Sequence, residues 1–311
     1  MNDAHPCGLS AHETCSPPAA LVLDEVLRRF AQEAVRGVCA TGRYRCPYYT
    51  WGSGPPLLFI HGLADDSQSF AMPIAVLSRH FRCIGYDLPT GRGDGARLNR
   101  YRHEDLVVDA LALLDHLGIR QSYVFGASFS ATITLAALRA APERLPRAVL
   151  QGGFARRPLA PAELLLARLA RHGPGPLRWL PLRRAVLRHS HYPPFAARDR
   201  GVWEFYLRQI GQAPIAAVAQ RALLLHRLDL RPILPEIRQP ILMICGDDDP
   251  LVNKQCEEEL LRGLPHAVRI ELSQCGHLPA FTHPELLAEV VRSFLTPPPC
   301  HASSKDNARP R

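Results

Sequence analysis

The sequence predicts an α/β protein in which helices cover both faces of a mostly parallel central sheet. Short runs rich in apolar and β-branched residues alternate along the chain with longer runs that have helical spacing. Hydrophobic residues make up 47% of the 311 positions, which is ample for a sizeable core. No run of about 18 apolar residues occurs, so a transmembrane helix is not expected.

The first part of the core is predicted for residues 19–153 and begins with an amphipathic helix at Leu21–Val35. Edge strands are expected around Tyr44–Trp51. His103–Leu117 has apolar residues at helical spacing and predicts a helix. The remaining β-type runs predict core strands at Leu57–Ile60, Phe81–Tyr86, Ser122–Phe125 and Ala148–Leu150.

The alternation of strands and helices stops at Phe154 and resumes at Pro240. In between, prolines separate helical patterns at Pro161–Arg171, Leu177–His189, Asp199–Ile210 and Ile215–Leu228. We therefore expect a helical cap, residues 154–236, inserted after the sixth strand. The second part of the core, residues 237–296, contains the strand-like runs Ile241–Cys245 and Val268–Leu272.

The two ends of the chain, residues 1–18 and 297–311, are expected to be flexible, and the first residues do not form a signal peptide. The nine cysteines are scattered and include no Cys-x-x-Cys pair, which predicts a reducing, cytoplasmic location without disulfides. No cofactor and no metal site is predicted. A small cluster near the start has no flanking structure to hold a tetrahedral metal ion: His5, Cys7, His12 and Cys15.

A serine stands at a sharp turn between a β-type run and a helix-forming run, in the sequence Gly126-Ala127-Ser128-Phe129-Ser130. Such a turn lifts the hydroxyl out of the sheet edge. It also points the N–H groups of the helix start at whatever the hydroxyl attacks. The alternative interpretation is that Ser128 is an ordinary capping hydroxyl at the start of a helix.

A serine hydroxyl is a poor nucleophile at neutral pH and needs an adjacent base. His277, in a short run after a predicted strand, suits that role because the pKa of histidine lies near working pH. A carboxylate on the far ring nitrogen would fix the tautomer of the imidazole. Three candidates for this carboxylate follow the strand-like run Ile241–Cys245: Asp247, Asp248 and Asp249.

The order of Ser128, an aspartate and His277, each after a strand, resembles the α/β-hydrolase fold superfamily, which includes many esterases. The resemblance extends from about Tyr44 to Leu295. It includes the runs His61-Gly62-Leu63, Gly85-Tyr86-Asp87-Leu88-Pro89-Thr90-Gly91-Arg92-Gly93 and His283-Pro284-Glu285. The chain departs from the pattern Gly-x-Ser-x-Gly at Ser130, where we expect the helix to pack slightly further from the strand.

The resemblance implies residue roles. In this family the acid stands three residues after a glycine, which selects Asp249. Asp248 is the next candidate, because charged neighbours could distort the turn, and otherwise Asp247 and Asp248 are turn or capping residues. It also implies that the backbone N–H groups of Phe129 and Leu63 stabilise an oxyanion.

The activity implied is that of a serine hydrolase that cleaves a carboxylic ester or a thioester without a cofactor. Several alternatives stay open because the fold does not set the substrate. They are acyl transfer, hydrolysis of a C–C bond, cofactor-free peroxidase chemistry and a non-catalytic binding role.

Positive charge is concentrated in the predicted cap. Phe154–Gln239 contains 15 arginines and five acidic residues, a net charge of +10, whereas the rest of the chain has 22 basic and 24 acidic residues. One interpretation places these arginines on the solvent face of amphipathic helices, for example Arg168, Arg171, Arg208 and Arg221.

The other interpretation of this charge is a positive rim beside an apolar acyl slot, which the cap's aromatic residues would form: Trp179, Trp203, Phe205 and Tyr206. Such a rim would attract an anionic small-molecule substrate with an apolar acyl part, an acidic carrier protein or an anionic membrane surface. No nucleic-acid partner is expected.

Overall fold

A computed structural model describes residues 21–181, 183–189, 195 and 199–296. Its strands form one eight-stranded sheet in the order β1-β2-β4-β3-β5-β6-β7-β8. The strands are β1 (Val35–Ala40), β2 (Arg45–Trp51), β3 (Pro56–Ile60), β4 (Arg82–Tyr86), β5 (Tyr123–Ala127), β6 (Ala148–Gln151), β7 (Ile241–Gly246) and β8 (Ala267–Leu272). β2 is antiparallel to β1 and to β4, and every other pair is parallel. The predicted mostly parallel sheet is therefore confirmed.

The α-helices between and around these strands are α1 (Leu23–Glu33), α2 (Ala71–Leu77), α3 (His103–His116), α4 (Phe129–Ala140), α5 (Pro161–Ala170), α6 (Arg183–His189), α7 (Arg200–Gln212), α8 (Ile215–Arg227), α9 (Lys254–Gly263), α10 (Pro279–Thr282) and α11 (Pro284–Leu295). One face of the sheet packs against buried residues of α3, α4 and α9. The other face packs against α1, α2, α7 and α11. Helices thus cover both faces, as predicted.

The inner strands are buried on both faces because helices pack on each side of them. In β3 and β5, every residue after the first is buried. This explains why their sequences are nearly continuous apolar runs without the alternation of a half-exposed strand. The carboxyl ends of these parallel strands meet at one edge of the sheet, and the predicted site residues follow them.

Two predicted elements differ from the structure. The helical pattern at Leu21–Val35 ends at Glu33, and Val35–Ala40 is a strand that the sequence did not predict. Four of the six residues of this strand are exposed and it pairs with β2 alone, so its conformation depends on a neighbour rather than on its own pattern. The single helical pattern at Leu177–His189 divides into a 3₁₀ turn, Leu177–Trp179, and α6.

We call residues 154–236 the insert, and its helices α5–α8 lie between β6 and β7. Three aromatic residues of the insert are buried against each other and against Phe281 of α10: Phe195, Trp203 and Tyr206. Two of the aromatic residues predicted to form an acyl slot are therefore packed together, whereas Trp179 is 63% exposed.

None of the described helices is long and apolar enough to cross a membrane. The predicted flexible ends, residues 1–18 and 297–311, lie outside the described residues, and so does the cluster of His5, Cys7, His12 and Cys15.

Candidate active site

Ser128 lies between the end of β5 and the start of α4, with φ 54° and ψ −115°. This is a positive-φ conformation that costs free energy for any residue other than glycine. Strain of this kind persists only where the surrounding structure imposes it, and it is common at functional sites. The side chain of Ser128 makes no capping hydrogen bond to α4, so the interpretation as a capping hydroxyl is not supported.

The residues on either side hold the turn in this shape. Gly126 has no room for a side chain, because a Cβ there would lie 2.3 Å from Thr134 Oγ1. Ser130 is fully buried, and its hydroxyl accepts a hydrogen bond from the Ala127 N–H at 2.8 Å. The same hydroxyl donates to Ile60 O at the end of β3. The serine that replaces the family's glycine thus ties the turn to the neighbouring strand.

Asp249 and His277 meet at the same edge of the sheet. The Nδ1 of His277 donates to Asp249 Oδ2 at 2.7 Å, and both side chains are nearly buried. The other carboxylate oxygen, Oδ1, accepts the N–H groups of Leu251 and Val252. Burial alone would raise the pKa of Asp249, but the bond to His277 and these two N–H groups lower it below its ordinary value. The ionised carboxylate therefore fixes the proton on Nδ1 and leaves Nε2 as an acceptor.

The two neighbouring aspartates, Asp247 and Asp248, form hydrogen bonds with the turn before His277. Asp247 is exposed, and its carboxylate accepts the N–H groups of Gln274 and Cys275, which holds the turn before His277. Asp248 is also exposed, and its backbone N–H donates to Cys275 O. Only Asp249 of the three aspartates contacts the imidazole among the described residues.

Two residues, Gln151 and Gly152, hold His277 in position, and the sequence analysis did not single them out. Gln151, the last residue of β6, accepts the Ser128 N–H at its carbonyl and donates from Nε2 to His277 O at 3.0 Å. Gly152 follows with φ 54°, and a Cβ there would lie 2.9 Å from Cε1 of His277. One strand end therefore contacts both Ser128 and His277. The glycine pair Gly152-Gly153 directly after a predicted strand was the available signal.

Ser128 and His277 face the same edge, but no hydrogen bond joins the Ser128 hydroxyl to the imidazole in the described part of the chain. Such bonds are often long in the absence of substrate and shorten in the reacting complex. The arrangement thus places a strained serine near an oriented histidine without a formed contact between them.

The loop after β3 contains the second predicted oxyanion donor, Leu63. His61 is buried; its Nδ1 pairs with Gly62 O at 2.9 Å, and its Nε2 accepts the Leu88 N–H at 3.0 Å. Burial lowers the pKa of His61 to about 3, so the ring is neutral with its proton on Nδ1. On the other side of the site, Phe129 is the first residue of α4, where N–H groups have no partner within the helix.

The interpretation of Arg221, in α8, as a surface charge is wrong. The side chain is buried, with 5% of its surface exposed, whereas Arg168, Arg171 and Arg208 are exposed as predicted. Its guanidinium donates to Leu63 O at 2.8 Å. Sequence reasoning missed this position because the helical pattern of α8 does not distinguish a buried arginine from an exposed one.

Comparisons with known proteins identify the family of this chain. A family model described as alpha/beta hydrolase fold matches residues 55–284. The chain belongs to the α/β-hydrolase fold family. As predicted, it is an enzyme of that family.

This α/β hydrolase is similar to a pimeloyl-[acyl-carrier protein] methyl ester esterase from Nitrosomonas europaea, with 30% identity over 76% of this chain and 94% of that protein. It is also similar to 3-oxoadipate enol-lactonase 2 from Acinetobacter baylyi, with 25% identity over 80% of this chain and 92% of that protein. Among solved structures, the enol-lactonase from Burkholderia xenovorans LB400 superimposes with a TM-score of 0.77 at 24% identity, covering 84% of this chain and all of that one. The last comparison shows the fold alone.

Two further carboxylates lie in the loop after β3 of this hydrolase. Asp65 lies against Gly62, where a Cβ would be 2.6 Å from Asp65 Oδ2, and burial raises its pKa to about 6 although the charge of His277 opposes the rise. Asp66 accepts the Gln68 N–H as the cap of a 3₁₀ turn. Burial and the charge of Asp87 raise the pKa of Asp66 to about 7.

The described residues contain no group of three or more histidine, cysteine, aspartate or glutamate side chains placed to hold a metal ion. The cysteines at positions 39, 46, 83, 245 and 256 are free thiols, and most of them are buried. Burial raises the pKa of Cys245 to about 12, so this thiol is not a nucleophile near neutral pH.

Proposed function

We propose that this protein is a serine hydrolase that cleaves a carboxylic ester or a thioester through an acyl-enzyme on Ser128. The observation that carries this proposal is the 2.7 Å hydrogen bond between His277 and Asp249, at the sheet edge where Ser128 sits in a strained turn. A nucleophile, a base and an acid that orients the base are the parts that acyl transfer to serine needs.

In the proposed reaction, Ser128 Oγ attacks the acyl carbonyl while His277 Nε2 accepts the hydroxyl proton. The N–H groups of Phe129 and Leu63 stabilise the negative oxygen of the tetrahedral intermediate. The imidazolium, held by Asp249, then gives its proton to the leaving alcohol or thiol. Water repeats the sequence on the acyl-enzyme, which releases the carboxylic acid and restores Ser128.

The relatives support a carboxylic ester as the substrate class. The name of the Nitrosomonas europaea protein specifies a methyl ester, and that of the Acinetobacter baylyi protein specifies an enol lactone, which is a cyclic ester. Both are hydrolysed by attack at an acyl carbon. A thioester presents the same acyl carbon and stays within the proposal.

We further propose that the insert acts as a cap that recognises the substrate or its carrier. The exposed face of α5 is apolar: the exposed fractions of Leu165, Leu166 and Leu169 are 59%, 68% and 66%. Arg168 on the same helix and Arg171 directly after it are also exposed. An acyl group attached to an acidic carrier protein would match both properties, and an acyl-carrier protein is part of the name of one relative. A free anionic ester and an anionic membrane surface are the competing partners. The free thiols fit a reducing, cytoplasmic location.

The experiment is hydrolysis of 4-nitrophenyl esters of graded acyl length by the wild type and by Ser128→Ala. We expect hydrolysis by the wild type and a loss of at least about 10⁴-fold in Ser128→Ala. Addition of an alcohol acceptor separates hydrolysis from acyl transfer, because a transferase makes the new ester in preference to the acid. Equal hydrolysis by both proteins would contradict the proposed role of Ser128, and no hydrolysis by the wild type would favour a binding role for the scaffold.

A further inference from the structure

Arg221 connects the insert to the loops around Ser128. It lies in the middle of α8, yet its guanidinium leaves the insert and enters the core. Nη1 donates to Leu63 O at 2.8 Å, and Nη2 donates to Leu88 O and to Pro89 O at 3.2 Å each. One side chain thus binds the carbonyls of two loops that follow different strands, β3 and β4.

The same two loops are also joined by His61. Its ring accepts the N–H of Leu88, the residue whose carbonyl binds Arg221. It also pairs with the carbonyl of Gly62, which immediately precedes Leu63. Leu63 therefore lies between two fixed points, the carbonyl of Gly62 before it and its own carbonyl after it.

The charge of Arg221 is buried, which is costly unless the surroundings compensate it. Asp65 and Asp87 interact favourably with the guanidinium. Burial lowers its pKa to about 10, so it stays charged at neutral pH. Its Nε has no hydrogen-bond partner among the described residues. A buried arginine whose hydrogen bonds are incomplete contributes little to stability. This favours a role for Arg221 in positioning the loops that it binds.

We propose that Arg221 is a positioning residue by which the insert sets the orientation of the Leu63 N–H as an oxyanion donor. The proposal rests on the serine hydrolase function proposed above. Removal of one oxyanion donor costs about 10²–10³-fold in kcat in other serine hydrolases, and displacement of a donor should cost less. An oxyanion donor acts in the transition state, so its displacement lowers kcat more than it changes KM.

The test compares Arg221→Met and Arg221→Lys with Arg227→Met, which changes an exposed arginine at the end of the same helix. A fluorophosphonate first titrates the number of competent active sites in each preparation, and kcat is expressed per titrated site. We expect kcat per site to fall about 10–100-fold in Arg221→Met and about 3–10-fold in Arg221→Lys, with KM changed less than about 3-fold. Arg227→Met should match the wild type.

A second measurement is binding of a trifluoromethyl ketone with the acyl group of the best ester, which forms a tetrahedral adduct with the serine. Its affinity should fall in parallel with kcat per site in both Arg221 variants, and added guanidinium ion should restore part of the activity of Arg221→Met.

If the Arg221 variants have fewer titratable sites but wild-type kcat per site, Arg221 is structural and the inference is wrong. If Arg221→Met does not fold, a wild-type kcat per site in Arg221→Lys leads to the same conclusion. If the wild type itself is not titrated, the proposed function fails first, and this inference fails with it.

Discussion

The strand-end loops and the insert fix their site groups in different ways. In the loops, nearby backbone groups fix the side chains: Asp249 is held by N–H groups two and three residues away, and Ser128 is held by the turn in which it lies. In the insert, a single side chain, Arg221, reaches a carbonyl 158 positions earlier in the chain. Ser128 and Asp249 are thus placed by local structure, whereas the contact between insert and site depends on tertiary packing.

This difference suggests how such a site can change. A strand-end turn tolerates few substitutions, because Gly126 and Gly152 have no room for a Cβ. The outer surface of the insert has no comparable constraint: Leu165, Leu166 and Leu169 of α5 are largely exposed. We expect substitutions in the loops to change turnover and substitutions on the outer insert to change recognition.

The largest effect is expected in the loops. Ser128→Ala and His277→Ala should each lower kcat by at least about 10⁴-fold without unfolding the protein. Because these residues act as a unit, the double variant should be little worse than either single variant. Steady-state kinetics with one ester, together with circular dichroism, checks this. Losses that multiply in the double variant would show that the two residues act independently.

The three aspartates after β7 provide a matched set. Asp249→Asn should lower kcat by about 10³-fold, because an amide no longer fixes the proton on His277 Nδ1. Asp247→Asn and Asp248→Asn should lose less than about 10-fold, since neither side chain contacts the imidazole. The measurement is kcat for all three variants at one pH. Comparable losses at the three positions would indicate a disturbed loop instead of a specific acid.

The insert should affect recognition by a smaller factor. The kcat/KM for an anionic ester should fall a few-fold as salt rises from about 20 to 300 mM, while a neutral ester of equal length stays nearly level. Arg168→Glu combined with Arg188→Glu, both exposed in the insert, should flatten this dependence. The control, Arg28→Glu combined with Arg79→Glu, makes the same charge change at exposed positions outside the insert. Equal responses of both esters would show that the insert arginines do not steer substrate.

The smallest effect concerns stability near the loop after β3. The pKa of Asp66 is raised from an ordinary value of 3.8 to about 7, so the folded protein favours the protonated carboxyl. The stability that this group contributes to the fold is therefore complete below about pH 4 and is lost as pH rises through 7. Asp66→Asn keeps the cap to Gln68 but removes the buried charge. It should raise Tm at pH 8 by roughly 2–4 °C, about 1 kcal/mol, with no gain at pH 4.

Thermal unfolding of wild type and Asp66→Asn at the two pH values checks this. Asp247→Asn is the control, because the pKa of that exposed carboxylate is lowered by the N–H groups of Cys275 and Gln274. It should give no stabilisation at pH 8. A gain for Asp66→Asn that is equal at both pH values would rule out the buried charge as its cause.

The sequence predicted the sheet and the site to different depths. The inner strands were predicted to within one or two residues, because strands buried on both faces are continuous apolar runs. The strand Val35–Ala40 was missed because it is mostly exposed and is defined by pairing with β2. Local sequence patterns therefore predict buried strands well, but they predict poorly the strands that depend on pairing with a neighbour.

The same division applies to the site. Ser128, Asp249 and His277 stand in local motifs after strands, so their sequence order was enough to single them out. Arg221 was predicted to be at the surface, and Gln151 and Gly152 were not singled out, since their contacts join segments far apart in the chain. Likewise Trp203 and Tyr206 were predicted to form a slot but pack against each other, and Tyr206 also packs against Phe281.

The most direct test of the proposed nucleophile is peptide mass spectrometry of the protein after reaction with a fluorophosphonate. We expect one adduct per chain, on Ser128, with no labelling of Ser128→Ala and slow labelling of His277→Ala. An adduct on another residue, or undiminished labelling of Ser128→Ala, would contradict the claim that Ser128 at the end of β5 is the nucleophile of this enzyme.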